Sequence, residues 1–182
     1  MSNFYKTRNI EIIKIIQNLN IKKISQIEEM ILKTKKKGGR VIICGNGGSS
    51  ATASHVAVDL SLNGNIKTIN FNEYDLITCF ANDFGYENWV KKSLEIYANK
   101  NDLLILLSCS GNSKNLVNAN LFAKKKGIKT ITFTGCKKVN KLNKIKNSIN
   151  LWIDSNKYNV IEIIHHMILL NIIDSLIKKK IN

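Results

Sequence analysis

The feature that most constrains this chain is a pattern that occurs twice. A short, wholly apolar run passes straight into a small polar loop, and the loop opens a helix. RVIICG leads into Gly45-Asn46-Gly47-Gly48-Ser49-Ser50, and DLLILLS leads into Ser108-Cys109-Ser110-Gly111-Asn112-Ser113. A strand that is apolar throughout, rather than alternating, is buried on both faces, as strands are in a parallel sheet covered by helices. KTINF, IKTITFTG and SINLWI supply three further strands. Helical patterns fill the intervals at about 50–62, 73–81, 86–98, up to Lys126 and over 158–180. Residues 5–37 read as helix with a break near Asn20, on the 3.6 period of Ile10, Ile13, Ile16 and then Ile24, Ile27, Ile31; Gly38-Gly39 ends it. The expectation is an α/β fold: one doubly wound domain with a mainly parallel five-stranded sheet and helices on both faces. Residues 1–37 form an N-terminal helical extension of the same domain, with an assembly role, and 38–182 form the main body. A length of 182 residues suits a single core.

The net charge of +15 suggests a polyanionic partner, but only Arg8 and Arg40 among the 28 basic residues are arginine. Base readout and bidentate phosphate clamps favour arginine. The lysine runs at 35–37, 124–126 and 178–180 each fall near a helix end, where they complement the helix dipole. Nucleic acid is therefore not the expected partner. No apolar run reads as a membrane span and no secretion signal is seen. Cys44, Cys79, Cys109 and Cys136 show no CxxC spacing, so reduced thiols in a cytoplasmic protein are expected. Cys44 and Cys79, in apolar runs, read as inert, and Trp89 and Trp152 as packing residues.

Ligands of a doubly wound sheet bind at the carboxyl ends of its strands. Glycines there let the backbone approach an anion, helix amides point at it and hydroxyls add donors. Neither loop is a Walker A or GxGxxG motif, so no nucleotide cofactor is expected. Ser108, Ser110 and Ser113 read as anion-binding, with helix capping as the bland alternative.

GNGGSSATASHVAVDL, ANDFGYEN and SCSGNSKNLVNA, in that order and spacing, resemble the phosphoheptose isomerase branch of the SIS (sugar isomerase) family. The resemblance runs over roughly Gly38 to Lys178. It implies an SIS-type fold, a homotetramer with sites at subunit interfaces, and conversion of sedoheptulose 7-phosphate into a heptose phosphate through an enediol. It assigns the phosphate to Ser108, Cys109, Ser110 and Ser113, with Cys109 where threonine is common. It assigns the sugar to Asn46, Gly47, Gly48, Ser49, Asn82, Asp83 and Glu162. In the family a His and a Glu one helical turn apart work with a Gln or Glu and a His from the closing helix, and zinc is placed among these four in some members. His55 matches the first histidine, Asp59 stands at the glutamate, Glu162 at the Gln/Glu position and His165 at a family histidine. The final histidine position falls at Leu170.

The residues suggest a replacement. His55 and Asp59 are i,i+4 on one helix, Glu162 and His166 are i,i+4 on another, and Leu170 lies one turn further along that face. His166 is thus expected to stand in for the missing imidazole. Asp59 is the expected base and His165 or His166 the partner acid. His55, Asp59, Glu162 and His166 form a candidate set for Zn²⁺ or another divalent ion. Three alternatives stay open: a metal-free site, a different phosphosugar (Asn63 stands where many members carry arginine), and a non-catalytic sugar-phosphate binder or regulator.

Overall fold

Every residue of β1 (Val41–Gly45) and β3 (Leu103–Ser108) is buried. The computed structural model describes residues 2–146 and 149–181, so Asn147 and Ser148 of the two adjoining sequence segments fall outside the described residues. The remaining elements are α1 (Ser2–Gln17), α2 (Ile21–Lys36), α3 (Gly48–Leu62), β2 (Thr68–Ile69), α4 (Tyr74–Phe84), α5 (Trp89–Tyr97), α6 (Lys114–Lys126), β4 (Lys129–Thr134), α7 (Lys141–Lys144), β5 (Ile149–Trp152) and α8 (Tyr158–Ile181). The five strands are all parallel, in the order β2-β1-β3-β4-β5.

Successive strand residues face opposite sides, so each buried strand feeds two cores. Val41, Ile43, Leu103, Ile105, Leu107, Ile131 and Phe133 pack with α2, α3 and α8. Ile42, Cys44, Leu104 and Leu106 pack with Trp89, Val90 and Leu94 of α5 and Leu116, Ala119 and Ala123 of α6. The chain leaves β1 for the β2 side and returns to β3 on the other side. The direction of winding therefore reverses between β1 and β3, which the register Val41↔Leu103 to Gly45↔Leu107 brings to an end side by side. This reversal is the switch point at which such sheets bind ligands.

The expected strands and helices are present, with four corrections. The second strand is two residues long, not five. ANDFG is no loop: Ala81 to Phe84 form the last turn of α4, and Gly85 at φ +81° stops it. A short helix, α7, sits unforeseen in the basic segment after β4. Finally, α8 is, by length and composition, apolar enough to cross a membrane over Tyr158–Lys179, contrary to the sequence reading. Its Val160, Ile161, Ile164, Ile168, Leu169, Ile172 and Ile173 are nevertheless buried against the sheet, which makes it a core helix. The two N-terminal helices also differ from each other. Ile27 and Ile31 of α2 are fully buried in the core, whereas α1 leaves Phe4, Tyr5, Ile10 and Ile13 exposed. Lysine runs close α2 and α6 as expected. Cys44 is buried, but Cys79 is exposed rather than enclosed.

Ile31→Ala empties a core site and should cost about 2–5 kcal/mol. Ile21→Ala, on the exposed face of the same helix, should stay within about 0.5 kcal/mol. Urea unfolding of both variants checks the difference.

Candidate active site at the carboxyl ends of strands β1 and β3

Gly47, at φ +56°, turns the chain from β1 into α3. The Asn46 side chain crosses to the second loop: its Nδ2 donates to Asn115 Oδ1 at 3.1 Å, and Asn115 Nδ2 donates to Asn46 Oδ1 at 2.8 Å. Tyr86 Oη also donates to Asn46 Oδ1, at 3.2 Å. Sequence reasoning missed Asn115 and Tyr86, although both lie inside the motifs quoted above. Gly48 is required by Glu162. A Cβ at position 48 would fall 2.5 Å from Glu162 Oε2, so only glycine lets this α8 carboxylate lie against the loop.

The second loop is tightly organised. Ser108 Oγ lies 3.3 Å from Ser113 Oγ and accepts from Gly111 N at 3.2 Å; Ser110 Oγ accepts from Asn112 N at 3.1 Å. Ser113 is the N-cap residue of α6, yet its side chain makes no capping hydrogen bond. Its hydroxyl is thus left to the loop interior, which weighs against capping as its role. Gly111, at φ +64°, has the Asn140 side chain where a Cβ would stand. Leu142 N donates to Gly111 O at 3.0 Å and Lys141 N to Asn112 Oδ1 at 3.1 Å, so α7 is packed onto this loop. Nothing in the basic segment's composition signals that contact. Burial pushes the Cys109 thiol up to about 12, helped by the Glu162 carboxylate and opposed by a hydrogen bond with Ser49. Cys109 is therefore a neutral thiol at neutral pH, and Ser49, Cys109 and Glu162 are neighbours.

Asn82 and Asp83 are exposed at the end of α4. Asn82 Nδ2 donates to Asp83 Oδ1 at 2.9 Å, and Cys79 Sγ to Asp83 Oδ2 at 3.8 Å. Their link to the loops runs through Tyr86.

The titratable groups form a row. His55 Nε2 lies 3.2 Å from Asp59 Oδ2, and His55 Nδ1 lies 3.0 Å from His166 Nε2, with the two rings edge to face at 4.9 Å. An Nε2–H tautomer of His55, accepting at Nδ1 from His166, satisfies all three groups. Burial, with His55 second, lowers the His166 pKa below 6.5, against a smaller raising effect of Asp59.

His165 is not part of this row, which corrects its assignment as a candidate acid. It is 1% exposed, its Nε2 lies 3.3 Å from Thr134 O, and its ring stands edge-on to Phe133. Neighbouring residues on a helix point about 100° apart, so the core takes His165 and the site takes His166. Leu170 packs at the edge of the core. The four-ligand metal set is not assembled either. Both His55 nitrogens are engaged by side chains, and Glu162 lies against Gly48. Among the described residues no group of three or more His, Cys, Asp or Glu is disposed to hold a metal ion. The residues as arranged do not fit zinc.

A family model described as "SIS domain" matches residues 4–135. The chain belongs to the SIS domain family. Its match to the phosphoheptose isomerase of Glaesserella parasuis serovar 5 is 39% identical over 123 residues, covering 64% of this chain and 63% of that protein. The match to the phosphoheptose isomerase of Histophilus somni is 40% identical over 123 residues, covering 64% and 62%. The chain thus spans a little under two thirds of the length of these curated relatives. Among solved SIS structures, the phosphoheptose isomerase of Francisella tularensis superposes with a TM-score of 0.88 at 24% identity, over 98% of this chain and 96% of that one. This likeness confirms the fold.

Burial lowers the His165 pKa to about 4 from 6.5, with the Thr134 carbonyl opposing. The unfolded chain then binds more protons between those values, so the neutral ring's contribution is present above pH 6.5 and lost as pH falls towards 4. Thermal unfolding between pH 7 and 4 should show a loss of roughly 3 kcal/mol from this group, absent in His165→Leu.

Proposed function

We propose that this protein is an aldose–ketose isomerase of phosphosugars that acts on sedoheptulose 7-phosphate and yields a heptose 7-phosphate. The row Asp59–His55–His166 carries the reading: it places a carboxylate and an imidazole together on the two helices that flank the first loop. The names of the curated relatives support the same substrate. In this reading the phosphate sits on the hydroxyls of Ser108, Ser110 and Ser113 and the backbone amides at the start of α6, where the helix dipole favours an anion. Asn46, Gly47 and Gly48 face the sugar, Ser49 and Cys109 close the floor, and Glu162 accepts hydrogen bonds from sugar hydroxyls. Asn82 and Asp83 complete the sugar's surroundings from α4.

Isomerisation moves one proton between neighbouring carbons without net oxidation. Asp59 removes the proton from C1, the freed electron pair forms the C1–C2 double bond, and the carbonyl pair moves onto O2, giving an enediolate. Asp59 then returns the proton to the adjacent carbon. His55 holds the Asp59 carboxylate and His166 in register. His166, kept neutral, donates its single N–H to His55 and, on its free Nδ1, carries the O1 hydroxyl proton to O2, so that the carbonyl re-forms at C1. No step requires a metal. The exposed apolar residues of α1 support self-association; in this reading the assembly is a homotetramer that works in the cytoplasm.

A second reading, a non-catalytic sugar-phosphate binder, is favoured by one observation: Leu170, at the family's histidine position, has neither proton nor lone pair to offer. Turnover of sedoheptulose 7-phosphate decides between them. The isomerase should lose about 10²–10⁴-fold in kcat on Asp59→Asn and about 10²-fold on His166→Gln, while Ser113→Ala raises KM more than it lowers kcat. Its rate should fall as pH drops through the lowered His166 pKa, because the neutral ring is lost. Binding without turnover in the unaltered protein would establish the second reading instead.

A further inference from the structure

The face of the sheet that packs α5 and α6 is apolar on β1 and β3 but not on β4 and β5. There β4 presents Thr130, Thr132 and Thr134, and the register Thr132↔Asn150 and Thr134↔Trp152 adds Asn150 and Trp152 of β5. A strand interior to the sheet thus carries three hydroxyls on a face where β1 carries Ile42 and β3 carries Leu104 and Leu106. Opposite them stands Asn120 of α6. Asn120, Thr130, Thr132 and Asn150, together with Asn143 and Lys146, line a cavity of about 370 Å³.

Three observations mark this cavity as a built polar site, separate from the strand-end loops. Asn120 is 1% exposed and lines the cavity, and its Oδ1 has no hydrogen-bond partner among the described residues. Leaving a buried acceptor unpaired costs about 1–3 kcal/mol, so this amide calls for a partner in the cavity. The remaining polar groups are held in place. Asn150 Nδ2 donates to Thr132 Oγ1 at 2.7 Å and to Thr134 Oγ1 at 3.3 Å; Thr134 Oγ1 donates to Asn143 Oδ1 at 3.0 Å; and Asn143 Nδ2 donates to Lys138 O at 2.8 Å. Among the described residues the lining also holds one cation, Lys146, and no carboxylate.

Amides and hydroxyls in a fixed array match vicinal hydroxyl groups, each of which donates and accepts. The volume lies within the range of small-molecule sites, about 300–1,000 Å³. A single lysine balances a single negative charge. A phosphate dianion is better served by several donors or a helix N-terminus, as at the serine loop. We propose that the β4–β5 cleft is a second ligand site that takes a hexose-sized sugar acid. Its hydroxyls would lie on Asn120, Thr132 and Asn143 and its carboxylate on Lys146. The site does not depend on the isomerase reading.

D-gluconate, which has no phosphate for the serine loop, is the probe. Titrated into the whole protein, it should shift the side-chain amide resonances of Asn120, Asn143 and Asn150 saturably. Exposed Lys146 can be changed without disturbing the core, and Lys146→Ala should weaken binding about tenfold. Ser113→Ala should leave binding unchanged. The neutral polyol sorbitol should bind at least as weakly as gluconate binds the Lys146→Ala variant. No saturable shift at the three amides would overturn the proposal and leave a water-filled cleft. Equal binding of sorbitol and gluconate, or loss of binding in Ser113→Ala, would overturn it as well, the latter by moving the ligand to the strand-end site.

Discussion

Everything in this molecule follows from the burial of β1 and β3 on both faces. Their backbone groups must pair with neighbouring strands, and their side chains must be covered from two sides. Parallel pairing requires a crossover between strands, and crossovers of one hand place helices on opposite faces once the winding direction changes. The change occurs between β1 and β3, so the two loops that follow them are the pair that no crossover covers. Burial of leucine and isoleucine thereby sets the position of a polar site that contains neither.

The row of side chains at that site depends on how α8 meets the core. Ile161, Ile164, Ile168 and Ile172 fix the helix rotation, since each is buried almost completely. With that rotation set, Glu162 and His166 face α3 and the first loop, while His165 is driven into the space beside Phe133. Two adjacent histidines of equal chemistry thus acquire opposite roles. One is a core ring with a depressed pKa, and the other belongs to a hydrogen-bonded chain of three. The chain also engages both nitrogens of His55, which is why the side chains expected to share a metal share protons instead.

The fold was largely legible because its signals are local. Unbroken apolar runs announce buried strands, and the Gly-rich and Ser-rich turns announce where they end. The loop residues were legible for the same reason. Less visible was whatever rests on contacts between distant segments. The i,i+4 spacing of Glu162 and His166 puts both on one face but leaves open which of His165 and His166 looks at α3, because that depends on the packing of all of α8. The docking of α7 on Gly111 joins Asn140 to a loop 29 residues away, and no periodicity encodes it. The two-residue β2 reflects an edge strand whose pairing ends once Ile69 has met Ile42. The threonines of β4 looked like ordinary strand formers, since β-propensity does not distinguish a packed face from a wet one.

The reciprocal amide pair of Asn46 and Asn115 has a consequence for how the site works as a machine. Two hydrogen bonds between the same two side chains resist both sliding and twisting, and Tyr86 adds a third contact to the pair. The loop after β1 and the loop after β3 therefore behave as one rigid cradle rather than as two jaws. A ligand that settles there orders little that is not ordered already, so less of its contact energy is lost to conformational entropy. Any opening and closing during a catalytic cycle falls to parts outside the cradle, and the segment that carries Tyr86 is itself tied to α6, where Asn118 Nδ2 donates to Glu87 O at 2.9 Å and to Asn88 Oδ1 at 3.2 Å.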